Sequence, residues 1–136
     1  MSKLVIYLLV ILNFYCFCER IFTQTDLEAK NNELDVKLGE EFALQFKSNP
    51  THGSHWTFLN EDKVRDSIQF LRSKYVEYPI NSKFLIIRIL KKGGYDYFYF
   101  KAKKVTNEAQ TLIFVYRGFL EKPAKKRIYI LKVNVN

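Results

Sequence analysis

Cysteine is nearly missing from this chain. Only Cys16 and Cys18 occur among its 136 residues, and both sit in an apolar stretch near the amino terminus. Everything after residue 18 is therefore without disulfides, thiolate metal sites and cysteine nucleophiles. An N-glycosylation acceptor is missing too, because Pro50 stands between Asn49 and Thr51 and blocks the sequon. Long apolar runs are confined to Leu4–Phe17, shorter than the roughly 20 residues of a spanning helix. There is no internal repeat, no low-complexity tract and little with a helical period. No glycine-framed nucleophile turn is present, and that absence weighs against a hydrolase.

What is there begins with an address. Met1-Ser2-Lys3 is a short basic start, Leu4–Phe17 is apolar apart from Asn13, and Cys16 and Cys18 are small enough for the −3 and −1 positions of a signal-peptidase site. Residues 1–18 are thus expected to be a signal peptide, with no membrane attachment after cleavage. The protein then belongs to the secretory pathway, secreted or held in lysosome-like vesicles. Glu19–Asn32 (ERIFTQTDLEAKNN) is polar and is expected to be a loose lead-in to one domain over 33–136. Without disulfides that domain must be held by its core. At this length, burial reaches roughly two thirds of the unfolded surface, which suffices.

The net charge is +8, with lysine and arginine scattered along the chain. Such charge serves solubility or attraction to an acidic partner: nucleic acid, a sulfated sugar or an acidic protein cleft. Spread charge behind a secretory leader excludes nucleic acid as the expected partner.

From Leu34 onward the period is two. Leu34, Val36 and Leu38 alternate with Asp35 and Lys37, and Gly39-Glu40 turns the chain. Phe42, Leu44 and Phe46 then alternate with Ala43, Gln45 and Lys47. These are half-buried strands joined by a tight turn. Trp56–Phe58 and Ile68–Phe70 read as short strands, and Tyr78-Pro79 ends that region because proline cannot donate to a ladder. Asn60–Ser67 has room for one helical turn. Phe84–Leu90 (FLIIRIL) is apolar on both faces and is expected to pair with Tyr95–Lys103 (YDYFYFKAK), so that Gly93-Gly94 projects between them. Thr111–Tyr116 and Arg127–Val135 complete seven to eight strands. The pattern predicts an all-β, immunoglobulin-like β-sandwich with Greek-key connections.

Three patches interrupt the strands: Asn49-Pro50-Thr51-His52-Gly53 with Trp56 behind, Lys91-Lys92-Gly93-Gly94, and Arg117-Gly118-Phe119. In the first, proline fixes φ, asparagine caps the turn and glycine lets the backbone reverse. Such a loop is stiff before it meets a partner, so little entropy is lost on insertion. Trp56 itself reads as core or loop base. Phe46, Phe98, Phe100 and Tyr116 read as core. Tyr95, Tyr97 and Tyr99 fall on the opposite face of their strand and read as cross-strand packing aromatics rather than a sugar platform. His52 and His55 sit in a loop with no adjacent carboxylate or cysteine, a poor zinc set. Ser54, His55 and Asp62 form no marked triad. No metal, cofactor or catalytic residue is expected.

Taken in order, the three patches resemble the binding loops of the chagasin family of cysteine-protease inhibitors. That family's first motif typically runs Asn-Pro-Thr-Thr-Gly-x-x-Trp, matched by Asn49, Pro50, Thr51, Gly53 and Trp56, with His52 in place of the second threonine. Its second motif is Gly-x-Gly-Gly, of which Gly93 and Gly94 are kept and the first glycine is Lys91. Its third is Arg-Pro followed by Trp or Phe, here Arg117-Gly118-Phe119. Val36-x-Leu38-Gly39-Glu40 and the late strand Ile128–Val133 also resemble the family. The resemblance covers Leu34–Val135.

The resemblance implies a monomer, free of cofactor, that is not an enzyme. It implies reversible, non-covalent occlusion of the cleft of papain-like cysteine proteases, with cathepsin L-type enzymes favoured. By the family pattern the loop carrying Thr51 wedges beside the catalytic cysteine, while Gly93-Gly94 and Arg117–Phe119 hold the cleft from either side. Arg117 brings a planar fork for a carboxylate or an aromatic ring, and Phe119 an aromatic anchor. Loss of proline at Gly118 is expected to raise the ordering cost of that loop. His52 is expected to weaken binding as it gains charge below its ordinary pKa of about 6.5. Two rivals remain: a secreted basic sandwich binding polyanions or carbohydrate, and an adhesion or assembly module.

Overall fold

The computed structural model describes residues 19–49, 53–78, 93–118 and 127–136. Eight strands within them form two four-stranded sheets. One has the order β1-β3-β6-β5, from Arg20–Thr23, Glu41–Ser48, Gly94–Ala102 and Ile68–Glu77. The other has the order β2-β8-β7-β4, from Glu33–Val36, Arg127–Val135, Gln110–Arg117 and His55–Phe58. This is the expected all-β sandwich. The expected leader, residues 1–18, lies outside the described residues.

Alternation decides what each sheet buries. Phe42, Leu44 and Phe46 of β3 and Phe98, Phe100 and Ala102 of β6 face Leu112 and Phe114 of β7 and Leu131 and Val133 of β8. Trp56, Phe98 and Phe100 are buried and Tyr116 is half-buried, as their spacing predicts. Tyr95, Tyr97 and Tyr99 lie half-exposed on the outer face, in a row with Tyr97 and Tyr99 stacked at 6.3 Å. The Arg72 guanidinium sits 4.1 Å over the Tyr99 ring.

The lead-in over 19–32 is not loose. Arg20–Thr23 pairs in parallel with Phe42–Gln45 as β1, and Gln24–Ala29 forms helix α1. Thr23 Oγ1 accepts from Asp26 N, and Asp26 Oδ2 accepts from Thr23 N, a reciprocal cap. Leu27 is fully buried and ties the helix to the core. Asn31 and Asn32, at φ 56° and 57°, reverse the chain into β2; asparagine tolerates that left-handed region better than most residues. Strand β2 then runs parallel to β8. The turn at Gly39 (φ 82°) hands the chain from one sheet to the other, so β2 and β3 are not a hairpin.

Strand β5 is longer than Ile68–Phe70: it reaches Glu77, across a bulge between Phe70 and Arg72 that shifts its register. Strand β6 has no free edge, with β3 on one side from Glu41 to Ser48 and β5 on the other from Ile68 to Glu77. The pairing expected between Phe84–Leu90 and Tyr95–Lys103 is therefore replaced by β5 with β6. Residues 84–90 themselves lie outside the described residues. The single helical turn expected within Asn60–Ser67 is present as α2, Glu61–Val64.

Tyr129 anchors the tie between the sheets and α1, its hydroxyl donating to Asn32 Oδ1 at 2.5 Å. Burial, with the Glu28 carboxylate adding, pushes its phenol from 10.0 up to about 12. The folded pKa lies above the unfolded one, so this contribution to stability is intact below pH 10.0 and drains away as the pH rises through about 12. Urea midpoints measured across that window should fall for the wild type and fall less for Tyr129→Phe. Equal slopes would show that another group governs alkaline unfolding.

Candidate functional site

Register places the strand ends that flank the three patches at one end of the sandwich. Ser48 and Glu77 both pair with Gly94, His55 pairs with Arg117, and Tyr116 pairs with Arg127. The connections β3–β4, β5–β6 and β7–β8 therefore leave side by side. Pro50, Thr51, His52 and Phe119 lie outside the described residues, as do Lys91 and Lys92. The necks of their loops are described.

The first neck is tightly closed. Asn49 and Ser54 form an isolated bridge, with Ser54 N donating to Asn49 O at 3.4 Å and Ser48 Oγ to Ser54 O at 3.2 Å. Gly53 sits at φ 69°, where a side chain is disfavoured. Below it Trp56 acts as loop base, as its position predicts. Its indole Nε1 donates to Lys47 O at 2.9 Å, across the neck. Its ring lies 5.0 Å from Phe46 and 5.2 Å from Tyr116. Its backbone N donates at 2.9 Å to Asp96 Oδ2, a buried carboxylate from the facing sheet. A charge-assisted bond between the two sheets fixes where the first loop begins.

Gly93 and Gly94 do not project. Both are buried, and Tyr78 N donates to Gly93 O at 2.9 Å, extending the β5–β6 ladder to its last rung. A Cβ on Gly94 would lie 2.1 Å from Val76 O and 2.8 Å from Glu77 Cα. Gly93 has φ 144°, and a Cβ there would meet the Tyr78 ring at 3.0 Å. The glycines let two backbones close where the β5–β6 connection leaves the sheet. Arg117 is exposed at the end of β7, across from His55, and Gly118 behind it is half-buried.

Between the necks lies a cleft of about 490 Å³. Trp56, Tyr116 and Tyr129 line it together with Tyr78, and Lys47 and Arg127 approach from opposite sheets. No carboxylate belongs to the described lining. Among the described residues no three histidine, cysteine, aspartate or glutamate side chains gather as a metal set. Asp96, Lys47, Arg127 and Tyr78 were not marked by motif. Asp96 was legible by parity alone, since it shares the inward face with Phe98 and Phe100.

The family model for the chagasin family peptidase inhibitor I42 matches residues 35–133. No curated protein matches the chain's sequence. Among solved structures, the cysteine protease inhibitor EhICP2 from Entamoeba histolytica aligns with a TM-score of 0.60 at 18% identity, over 86% of this chain and 95% of that one. Amebosin aligns at 0.54 and 22% identity, over 87% and 98%. PbICP-C, solved in complex with falcipain-2, aligns at 0.53 and 13% identity, over 87% and 89%. These likenesses establish a shared fold.

Proposed function

Because this chain belongs to the chagasin family of peptidase inhibitors, and so to a family of inhibitors rather than enzymes, we propose that it reversibly and non-covalently occludes the active-site cleft of papain-like cysteine proteases with three loops. The observation that carries this reading is the convergence of the three loop necks on one end of the sandwich. Solved relatives of the same fold support it, one described as a cysteine protease inhibitor and one in complex with falcipain-2. The first loop, Asn49–Gly53, presents Thr51 as its central wedge from a neck locked by Trp56 and Asp96. Gly93-Gly94 root the second loop, and Arg117, Gly118 and Phe119 form the third, with Phe119 as anchor. The expected targets are cathepsin L-type enzymes of the secretory pathway or lysosome-like vesicles, met by a monomer.

Locked necks bear directly on affinity. A loop whose base cannot move loses less conformational freedom on binding than a floppy one. Titrating purified protein against papain and a cathepsin L-type enzyme should give inhibition that reverses on dilution. Undiminished activity of both enzymes in the titration would end the reading.

Thr51→Glu should weaken inhibition by more than about tenfold, which corresponds to about 1.4 kcal/mol. Its melting temperature should stay near that of the wild type, because an exposed loop change costs less than roughly 0.5 kcal/mol. An unchanged inhibition constant in a folded Thr51→Glu protein would remove Thr51 from the contact.

A further inference from the structure

We infer that Lys47 and Arg127 form a recognition site for a carboxylate side chain on the rim of the partner protease's cleft, so that the inhibitor selects enzymes with an acidic rim. The inference rests on the inhibitor reading above and assigns part of its specificity to residues outside the three loops. Lys47 comes from β3 and Arg127 from β8, so the two cations reach the same cleft from different sheets. Both are exposed. Within the described residues the sole ion pair is Arg20 with Glu40, at the opposite end of the sandwich. Neither Lys47 nor Arg127 therefore has a carboxylate partner of its own there.

Two further observations give the site its character. Its floor is aromatic, built from Trp56, Tyr116 and Tyr129, and low-dielectric walls of this kind focus the field of the charges beside them. Two described carboxylates stand near it: Asp96, which is buried and already accepts the Trp56 backbone N–H, and Glu28 of α1, which lines a neighbouring pocket with Lys47 and acts on Tyr129. Among the described residues neither carboxylate forms an ion pair with Lys47 or Arg127, so both cations stand ready for an outside carboxylate beside the loop necks, in a chain whose net charge is +8. Arg127 brings a fork suited to a carboxylate, and Lys47 a point charge that steers one inward. Complementary charge of this kind raises association rates and rejects partners of the wrong sign.

The test compares Lys47→Gln/Arg127→Gln with Lys103→Gln/Lys104→Gln, an equal loss of charge at exposed positions just past the far end of β6. Association rates and inhibition constants are measured against one cathepsin L-type enzyme at about 50 and 300 mM NaCl, salt levels that bracket strong and weak screening. The first pair should lose about tenfold or more in association rate at low salt and most of its salt dependence, while the second changes less than about twofold. Melting temperatures of both should match the wild type. Equal losses in the two pairs would reduce the effect to overall charge and overturn the site. No loss in the first pair, with the wild type still inhibiting, would overturn this inference alone. A wild type that inhibits neither papain nor the cathepsin L-type enzyme would overturn the inhibitor reading and this inference with it.

Discussion

Gly94→Ala is expected to destabilise the protein by about 2 kcal/mol or more, although alanine is usually among the mildest substitutions. The added methyl would stand 2.1 Å from Val76 O and 2.8 Å from both Glu77 Cα and the Tyr75 hydroxyl. Two of those three atoms are backbone, so no rotamer change relieves the overlap. Strand β5 must separate from β6 at Glu77 and Gly94, the rung from which the second loop departs. Inhibition should weaken together with stability. Gly39→Ala is the control: its φ of 82° is strained for alanine, yet nothing lies within 4 Å of the new Cβ. That change should cost on the order of 1–2 kcal/mol from backbone strain alone, with inhibition intact because Gly39 lies at the other end. Urea denaturation and inhibition assays on both variants decide the matter. A Gly94→Ala protein within about 0.5 kcal/mol of the wild type, an ordinary surface value, would show that the ladder end yields freely.

Why some of this was legible in the sequence and some was not follows from where each residue sits. Phe42–Phe46 and Phe98–Ala102 lie in the two central strands of their sheet, where one face is wholly buried, so a clean period of two is forced on them. Strand β5 is an edge strand with a bulge, and its inward positions past Phe70 are Ser73 and Tyr75 rather than aliphatic residues. Its pattern therefore fades after Phe70. Strand β1 is short and lies at the other edge, with Phe22 buried and Ile21 half-exposed. The reciprocal cap of Thr23 and Asp26 was a readable sign of the helix behind it. Strand partnership is a longer-range matter. The apolar run at 84–90 suggested a hairpin with 95–103, but local pattern says nothing about edges already filled by β3 and β5. The loop motifs fixed where the chain departs from the strands. They carried no information about Asp96 or the Lys47 and Arg127 pair, which only the facing of the two sheets brings to the necks.

Phe46→Ala should have the largest effect of any single truncation, a loss of about 3–5 kcal/mol from a total of roughly 5–15 kcal/mol for a domain of this kind. Phe46 is fully buried, with ring centroids of Trp56 and Phe114 at 5.0 Å, Tyr129 at 5.2 Å and Phe98 at 6.0 Å. Its neighbours come from both sheets, and four rigid rings cannot collapse into the space that one leaves. A cavity term therefore adds to the lost transfer energy. The consequence for function runs through Trp56. That ring rests on Phe46 while its indole N–H holds Lys47 O and its backbone N–H holds Asp96. With the support removed, the neck of the first loop loosens, and inhibition should weaken more than the unfolded fraction accounts for. Ile21→Ala, at an edge position 51% exposed, should shift stability by less than about 0.5 kcal/mol and leave inhibition unchanged. Chemical denaturation gives the stability, and inhibition constants corrected for the folded fraction give the loop effect. A Phe46→Ala protein that loses less than about 1 kcal/mol, below the usual range for burying an aromatic ring, would mean that the cluster repacks. Full loss of stability with an unchanged corrected constant would mean that the neck is held by Asp96 and Lys47 alone.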